Sequence, residues 1–228
     1  MERTGIQYST YVQILKEELV PAMGCTEPIA LAYCAAKARE VLGCLPERCV
    51  VEASGNIVKN VKSVIVPNTG GLKGIEAAAA AGIAAGDASR ILEVIAGVTE
   101  EQKAEIKAYL QNAEISVRPL ETDEILDMVV TVSGGGSCVK VRIAGYHTNI
   151  VLIEKDGEVL YKVGAVAARE AQMADRSLLN VEDIYDFAKT ADLEDVRDVI
   201  GRQIAYNSAI SEDGLQNDWG ANIGSVLL

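Results

Sequence analysis

The stretch that most restricts the fold is residues 72–85, LKGIEAAAAAGIAA, which is almost entirely Ala, Gly and Ile. Alanine is the strongest helix former, so the run reads as a helix opened by the glycine-rich turn before it. A helix with so little side-chain volume is unsuited to an exposed surface position and is expected to pack close against its neighbours. The whole chain is built the same way. Hydrophobic residues make up 49% of it and aromatic residues only 4%, so the interior must be assembled from Ala, Val, Ile and Leu. Its 228 residues give ample length for a core, in one large domain or two small ones.

The formal net charge of −12 argues against nucleic acid or an anionic membrane surface as partner. No stretch has the length and apolarity of a membrane-spanning helix, and Met1-Glu2-Arg3-Thr4 does not open a signal-peptide pattern. A cytoplasmic setting is expected. The five cysteines, Cys25, Cys34, Cys44, Cys49 and Cys138, are odd in number and include no CxxC pair, which points to reduced thiols and away from a local zinc site. Cys34, Cys44 and Cys49 lie in or beside apolar segments and read as core residues.

Along the chain, Ser9 or Thr10 is placed to cap a first helix carrying Val12, Leu15 and Leu19 at helical spacing. Glu27 precedes a proline and reads as the N-cap of a second helix, with Pro28 its first residue and an apolar run over 29–41. Gly43 and Pro46 mark a loop, 49–53 a short strand, and Ser54-Gly55-Asn56 a break after it. Thr99-Glu100-Glu101-Gln102 is a capping-box start for a helix reaching about 111. Two hairpins follow, 127–133 with 138–143 and 150–154 with 158–162, the second turning at Lys155-Asp156-Gly157. Asn180 and Asp192 read as caps of two further helices, the second with Leu193, Val196, Ile200 and Ile204 on one face. The tail holds the single Trp219 and then Gly220 and Ala221, and it stops within the apolar run 225–228, so the chain is expected to be the N-terminal portion of something longer.

Three turns carry the chemistry that can be read locally. Cys25 lies just ahead of a helix start, where unpaired N–H groups and the positive end of the macrodipole favour a thiolate, the form that attacks electrophiles or binds metal. The other reading of Cys25 is a small buried residue in a tight turn. The turns at 54–56 and 68–74 offer backbone amides to an anion such as a carboxylate, with Lys73 adding charge, or else serve simply as helix caps and close-packing glycines. Neither a Walker A pattern nor GxGxxG is present. His147, the single histidine, sits between the hairpins, where it is either a base near neutral pH or an ordinary loop residue.

Taken together, PAMGCTEPIA at 21–30, SGNIVKN at 54–60, VPNTGGLKG at 66–74 and YHTNIVLIEKDGE at 146–158 resemble the L-cysteine desulfidase family, which is related to the α chain of iron–sulfur L-serine dehydratases. The resemblance covers essentially the whole chain. It implies α,β-elimination without pyridoxal phosphate at a 4Fe–4S cluster, giving pyruvate, ammonia and, from cysteine, sulfide. An iron without a protein thiolate would act as a Lewis acid while a base takes the α-proton. Cys25 matches the family's N-terminal motif cysteine and is expected as a cluster ligand, the others lying beyond residue 228.

The resulting expectation is an α+β fold, a helical Ala/Gly-rich core with a small four-stranded antiparallel meander. It comprises a helical lobe over 1–113, a β subdomain over 114–165 and a helical segment over 166–228 that returns to the first lobe. Cys25 and His147 are the expected catalytic residues, and Cys25 the expected metal ligand. Ser54, Asn56, Asn68, Thr69, Gly70 and Gly71 are expected to hold a small amino-acid substrate. Self-association through exposed apolar surface is a further expectation. Cysteine and serine are not separated as substrates, and a cluster-free amino-acid-binding or scaffolding module is the rival reading.

Overall fold

In the computed structural model, which describes residues 1–164, 173–218 and 222–228, the chain forms two compact units. One comprises Ala22–Ala171, the other Met1–Pro21 with Gln172–Leu228. These bounds differ from the divisions at 113/114 and 165/166 expected from the sequence. Trp219, Gly220 and Ala221 of the expected tail lie outside the described residues.

The larger unit is an α+β structure. Its elements are α2 (Thr26–Leu42), β1 (Arg48–Ala53), α3 (Gly55–Val61), α4 (Ile75–Ala85), a 3-10 turn (Ala88–Glu93), α5 (Glu100–Asn112), β2 (Glu114–Pro119), β3 (Asp127–Gly134), β4 (Ser137–Ala144), β5 (Ile150–Lys155) and β6 (Glu158–Lys162). The two expected hairpins are present, but the sheet has six strands in the order β2-β1-β3-β4-β5-β6 rather than four. β1 pairs antiparallel with β3 and parallel with β2, which adds two strands to the meander. Period-2 alternation turns Cys49, Val51 and Ala53 of β1, Met128, Val130 and Val132 of β3, and Val139, Val141 and Ile143 of β4 onto one fully buried face.

Helices cover that face, α2 lying against β3 and β4 and α4 against β1 and β2, with α5 beside α4. From Pro28 to Ala36 every residue of α2 is buried, as is every residue of α4 from Ala77 to Ile83. The close packing expected of the alanine helix is present. A Cβ placed on Gly82 would lie 2.0 Å from the carbonyl oxygen of Ala32, so the two backbones touch where the glycine sits. Asp127, wholly buried at the start of β3, is held by Arg142 through two hydrogen bonds (2.9 and 2.6 Å) and by the Thr122 hydroxyl (2.8 Å).

In the smaller unit, α1 (Ile6–Glu18) packs with α6 (Val181–Thr190) and α7 (Leu193–Gln216), and α8 (Ile223–Leu227) follows. Tyr8 and Tyr11 each lie 5.3 Å from Phe187, ring centroid to centroid, and Val196 closes the cluster. Asn180 and Asp192 cap α6 and α7 as expected, each accepting a backbone N–H. The face proposed for α7 is only partly used: Val196 is buried, whereas Leu193 and Ile204 are exposed.

Three local expectations are corrected. α1 starts at Ile6 with Gly5 as N-cap, and the Ser9 and Thr10 hydroxyls donate back to the carbonyl of Ile6 inside the helix instead of capping it. The break at 54–56 is the start of α3, whose Ile57 and Val61 plug into the core. Cys44 is exposed, because the left-handed Gly43 (φ 85°) ends α2 and turns the chain outward. Cys34 and Cys49 are buried as expected.

Candidate functional site

The second helix begins two residues earlier than its proline suggests. Cys25 is the N-cap, with extended backbone (φ −61°, ψ 119°), Thr26 and Glu27 are the first two helical residues, and Pro28 occupies the third position, where a missing N–H costs nothing. Gly24, at φ 102°, makes the turn that delivers Cys25 to this position, and its Cα faces Pro67 at the foot of the 68–74 turn.

Side chains from three segments converge on the Glu27 carboxylate. The Cys25 thiol donates to Oε2 at 3.2 Å, and Asn60 of α3 donates through Nδ2 to Oε1 at 3.2 Å. The Thr26 hydroxyl reaches Oε2 at 3.4 Å and lies 3.1 Å from His147 Nε2. With the Thr26 proton directed at Glu27, the ring nitrogen of His147 carries a hydrogen and donates to Thr26, so every donor in the chain runs toward the one carboxylate. Cys25, Thr26, Glu27, Asn60 and His147 are all half-buried.

Charge follows from this arrangement. Burial pushes the Glu27 carboxyl up. The hydrogen bonds from Cys25, its own backbone N–H and Asn60, with the His147 charge, outweigh that and leave it below the usual carboxylate range. Burial pushes His147 below its ordinary value against the pull of Glu27, so its neutral form is favoured. Burial and then the Glu27 carboxylate raise the Cys25 thiol. Of the two readings of Cys25, this geometry favours the protonated thiol that donates to Glu27 over a thiolate at the helix start. The anion that takes the positive end of α2 is Glu27, and Cys25 is its donor.

The structure brings together Cys25 and His147 of the expected site residues, through Thr26 and Glu27. Ser54 is buried, and its hydroxyl donates to the carbonyl of Ile125 at 2.7 Å. Asn56 is exposed at the start of α3. Asn68 is left-handed (φ 56°), and its amide is spent on the carbonyls of Ile95 and Ala96, both at 3.2 Å. Thr69 is buried and donates to the carbonyl of Val66 at 2.7 Å. Gly70 and Gly71 (φ 71° and 89°) form the exposed tip of their turn, and Lys73 beside them is exposed. The sequence reading missed Glu27 as the hub, Thr26 as the link and Asn60 as the third contributor. The signal for Asn60 was helical spacing after Ser54, which places it one turn beyond the buried Ile57.

Among the described residues, no three Cys, His, Asp or Glu side chains are grouped so as to hold a metal ion. Cys34 donates to the Val141 carbonyl inside the core, and burial pushes the Cys49 thiol up to about 12. Cys25 is the one thiol at the site. Among the described residues, Cys25 thus has no second thiolate grouped with it to share an iron–sulfur cluster.

A UPF0597 protein of Desulfitobacterium hafniense is 54% identical over 228 residues, all of this chain and 53% of its own length. UPF0597 proteins of Lachnoclostridium phytofermentans and Treponema denticola are 47% and 44% identical over 97% of this chain, which is 53% and 52% of theirs. The chain therefore spans about half the length of the curated relatives it matches. No family model matches it, and no solved structure does. No helix among the described residues is long and apolar enough to cross a membrane.

Proposed function

We propose that the chain is part of a cytoplasmic lyase that carries out α,β-elimination on L-cysteine without pyridoxal phosphate. The balanced conversion is L-cysteine plus water to pyruvate, ammonia and hydrogen sulfide. The observation that carries this reading is the convergence of Cys25, Asn60 and, through Thr26, His147 on Glu27, at the end of a buried helix. A net anionic carboxylate there favours the substrate's ammonium group, and the exposed Gly70-Gly71 turn offers backbone to its carboxylate. His147 in neutral form is suited to exchange a proton at Nε2 through the Thr26 hydroxyl. The resemblance in the Cys25, 54–60 and 66–74 motifs supplies the reaction class. The 4Fe–4S cluster it implies would need thiolates from protein outside these residues, and no step is derived through it.

L-Serine is the alternative substrate, since hydroxide and sulfide leave from the same carbon. A second reading is a cluster-free amino-acid-binding or scaffolding module, and one observation favours its scaffolding form: the side chains of Ser54, Asn68 and Thr69, expected to hold the amino acid, are engaged by backbone carbonyls instead.

The test is anaerobic reconstitution with iron and sulfide, for this chain and for one of the relatives' full length, followed by assay of sulfide and pyruvate from L-cysteine and L-serine. Turnover abolished by Cys25→Ala and strongly reduced by Glu27→Gln is the expected result. Turnover indifferent to both substitutions sinks the assignment of this site. Amino-acid binding with neither cluster nor turnover at either length supports the module.

A further inference from the structure

Within the 54–60 segment, the residue that reaches the site is Asn60. Its helix is short, so the position of its last turn depends on anchoring. The anchors are thorough: Ile57 and Val61 are buried in the core, the Ser54 hydroxyl is tied to the Ile125 carbonyl, and the Ser54 N–H is tied to the Asp127 carbonyl at 2.9 Å. Asn60 lies between Ile57 and Val61, and its amide is carried on this fixed turn to Glu27 Oε1.

A glutamate in the first turn of a helix has three rotatable bonds and competing acceptor duties toward its own backbone, and ordering such a side chain costs rotamer freedom that a fixed partner must offset. Cys25 Sγ can donate to Oε2 only while the carboxylate plane is held toward the N-cap. The contact that holds the other oxygen comes from Asn60. We infer that Asn60 is a positioning residue: it fixes the Glu27 carboxylate by Oε1 and so keeps Oε2 as the acceptor for the Cys25 thiol and the Thr26 hydroxyl. This rests on the reading of the Glu27 cluster as the reaction site, but the geometry it asserts is measurable without turnover.

The experiment is infrared spectroscopy of the S–H stretch in the metal-free chain, with the Cys25 band isolated by subtracting the spectrum of Cys25→Ala. In the wild type this band lies below that of the exposed Cys44 and Cys138 thiols, because Cys25 donates to a carboxylate. In Asn60→Ala, and in the nearly isosteric Asn60→Asp, it moves up to the position of those exposed thiols, while the melting temperature shows the fold retained. Glu27→Gln moves the band whether or not Asn60 has the role, which confirms the assignment of the band. A Cys25 band unmoved in folded Asn60→Ala and Asn60→Asp overturns the inference. Loss of the fold in both makes Asn60 a packing residue and overturns it equally. A band that moves in a protein without elimination activity leaves the positioning role intact and counts against the lyase reading alone.

Discussion

Replacing Gly82 with alanine should destabilise the larger unit, although the same change in an exposed helix would stabilise it. Glycine within a helix costs about 0.5–1 kcal/mol relative to alanine, so propensity alone favours the substitution. The new Cβ, however, would lie 2.0, 2.8 and 2.9 Å from the carbonyl oxygen, carbonyl carbon and Cα of Ala32. All three are backbone atoms of a helix buried on every side, so no side chain can swing away. Reaching ordinary contact distance requires α2 and α4 to separate by roughly 1–1.5 Å. Overpacking of this kind costs about 1–3 kcal/mol, and a backbone clash belongs at the top of that range. Against the propensity gain, the net loss is about 2 kcal/mol, or about 4–8 °C in melting temperature for a unit of this size. The assay is urea unfolding by far-UV circular dichroism, with hydrogen exchange of the α2 and α4 amides reporting on this unit by itself. Gly55→Ala is the control in the same unit, since nothing lies within 4 Å of its added methyl, and it should be neutral or slightly stabilising. Gly82→Ala equal to or more stable than wild type, with unchanged protection of α2, refutes the close-contact argument.

Arg142→Met leaves the wholly buried Asp127 carboxylate with the Thr122 hydroxyl as its remaining side-chain partner. A loss on the order of 2–3 kcal/mol is expected in chemical denaturation, less than for a fully enclosed pair because the Arg142 side chain is 39% exposed. Burial raises the Glu17 carboxyl, but Arg176, the Ala174 N–H and Gln13 outweigh it, and the net value is below the ordinary one. Its contribution to the smaller unit is therefore fully present above about pH 4.5 and is lost as pH falls through the depressed folded value. Acid titration of stability should be shallower in Glu17→Gln, and an unchanged slope counts against the contact. Gly24→Ala forces a side chain into φ 102° in the turn that delivers Cys25, at a cost of about 1–2 kcal/mol. The same variant should alter the Cys25 S–H band, since the N-cap can no longer hold its geometry.

What the sequence discloses is what short-range chemistry decides. Thr99 and Gln102 form the reciprocal capping box that their spacing announces, and Asp156-Gly157 makes the β5–β6 turn with both residues at positive φ. The alanine run packs as its lack of volume requires. The parallel β1–β2 pair was not legible, because Arg48 and Glu114 meet across 65 intervening positions with no local mark of the pairing. α3 was hidden by Ser54-Gly55-Asn56, which has turn composition and yet opens a helix once Ile57 and Val61 find the core. Glu27 was read as a cap because local grammar assigns a residue before proline that role, and only the fold brings Asn60 and His147 to its carboxylate. The hydroxyls of Ser54 and Thr69 read as free for a ligand for the converse reason: the sequence does not reveal that the backbone carbonyls of Ile125 and Val66 claim them.

The site and the small-residue core are connected physically. A group that must be held to a fraction of an ångström needs supports that do not move, and each contributor here stands on one. Cys25, Thr26 and Glu27 begin a helix that Gly82 and the alanines of α4 clamp from one side and the sheet from the other. Asn60 stands on α3, pinned by Ile57 and Val61. His147 sits in the connection after β4, where the Ala144 N–H donates to the Asn149 carbonyl and the Gly145 N–H to the carbonyl of Leu126. A core of larger side chains would hold α2 further from α4, and small shifts there would be carried to its N-terminus along a rigid helix. The glycine at 82 is thus as much a condition of the Cys25–Glu27 geometry as the residues that touch the carboxylate, and hydrogen exchange in Gly82→Ala should show loosening at Ile29 and Ala30, the first amides of α2 with an intrahelical acceptor, as well as at the crossing itself.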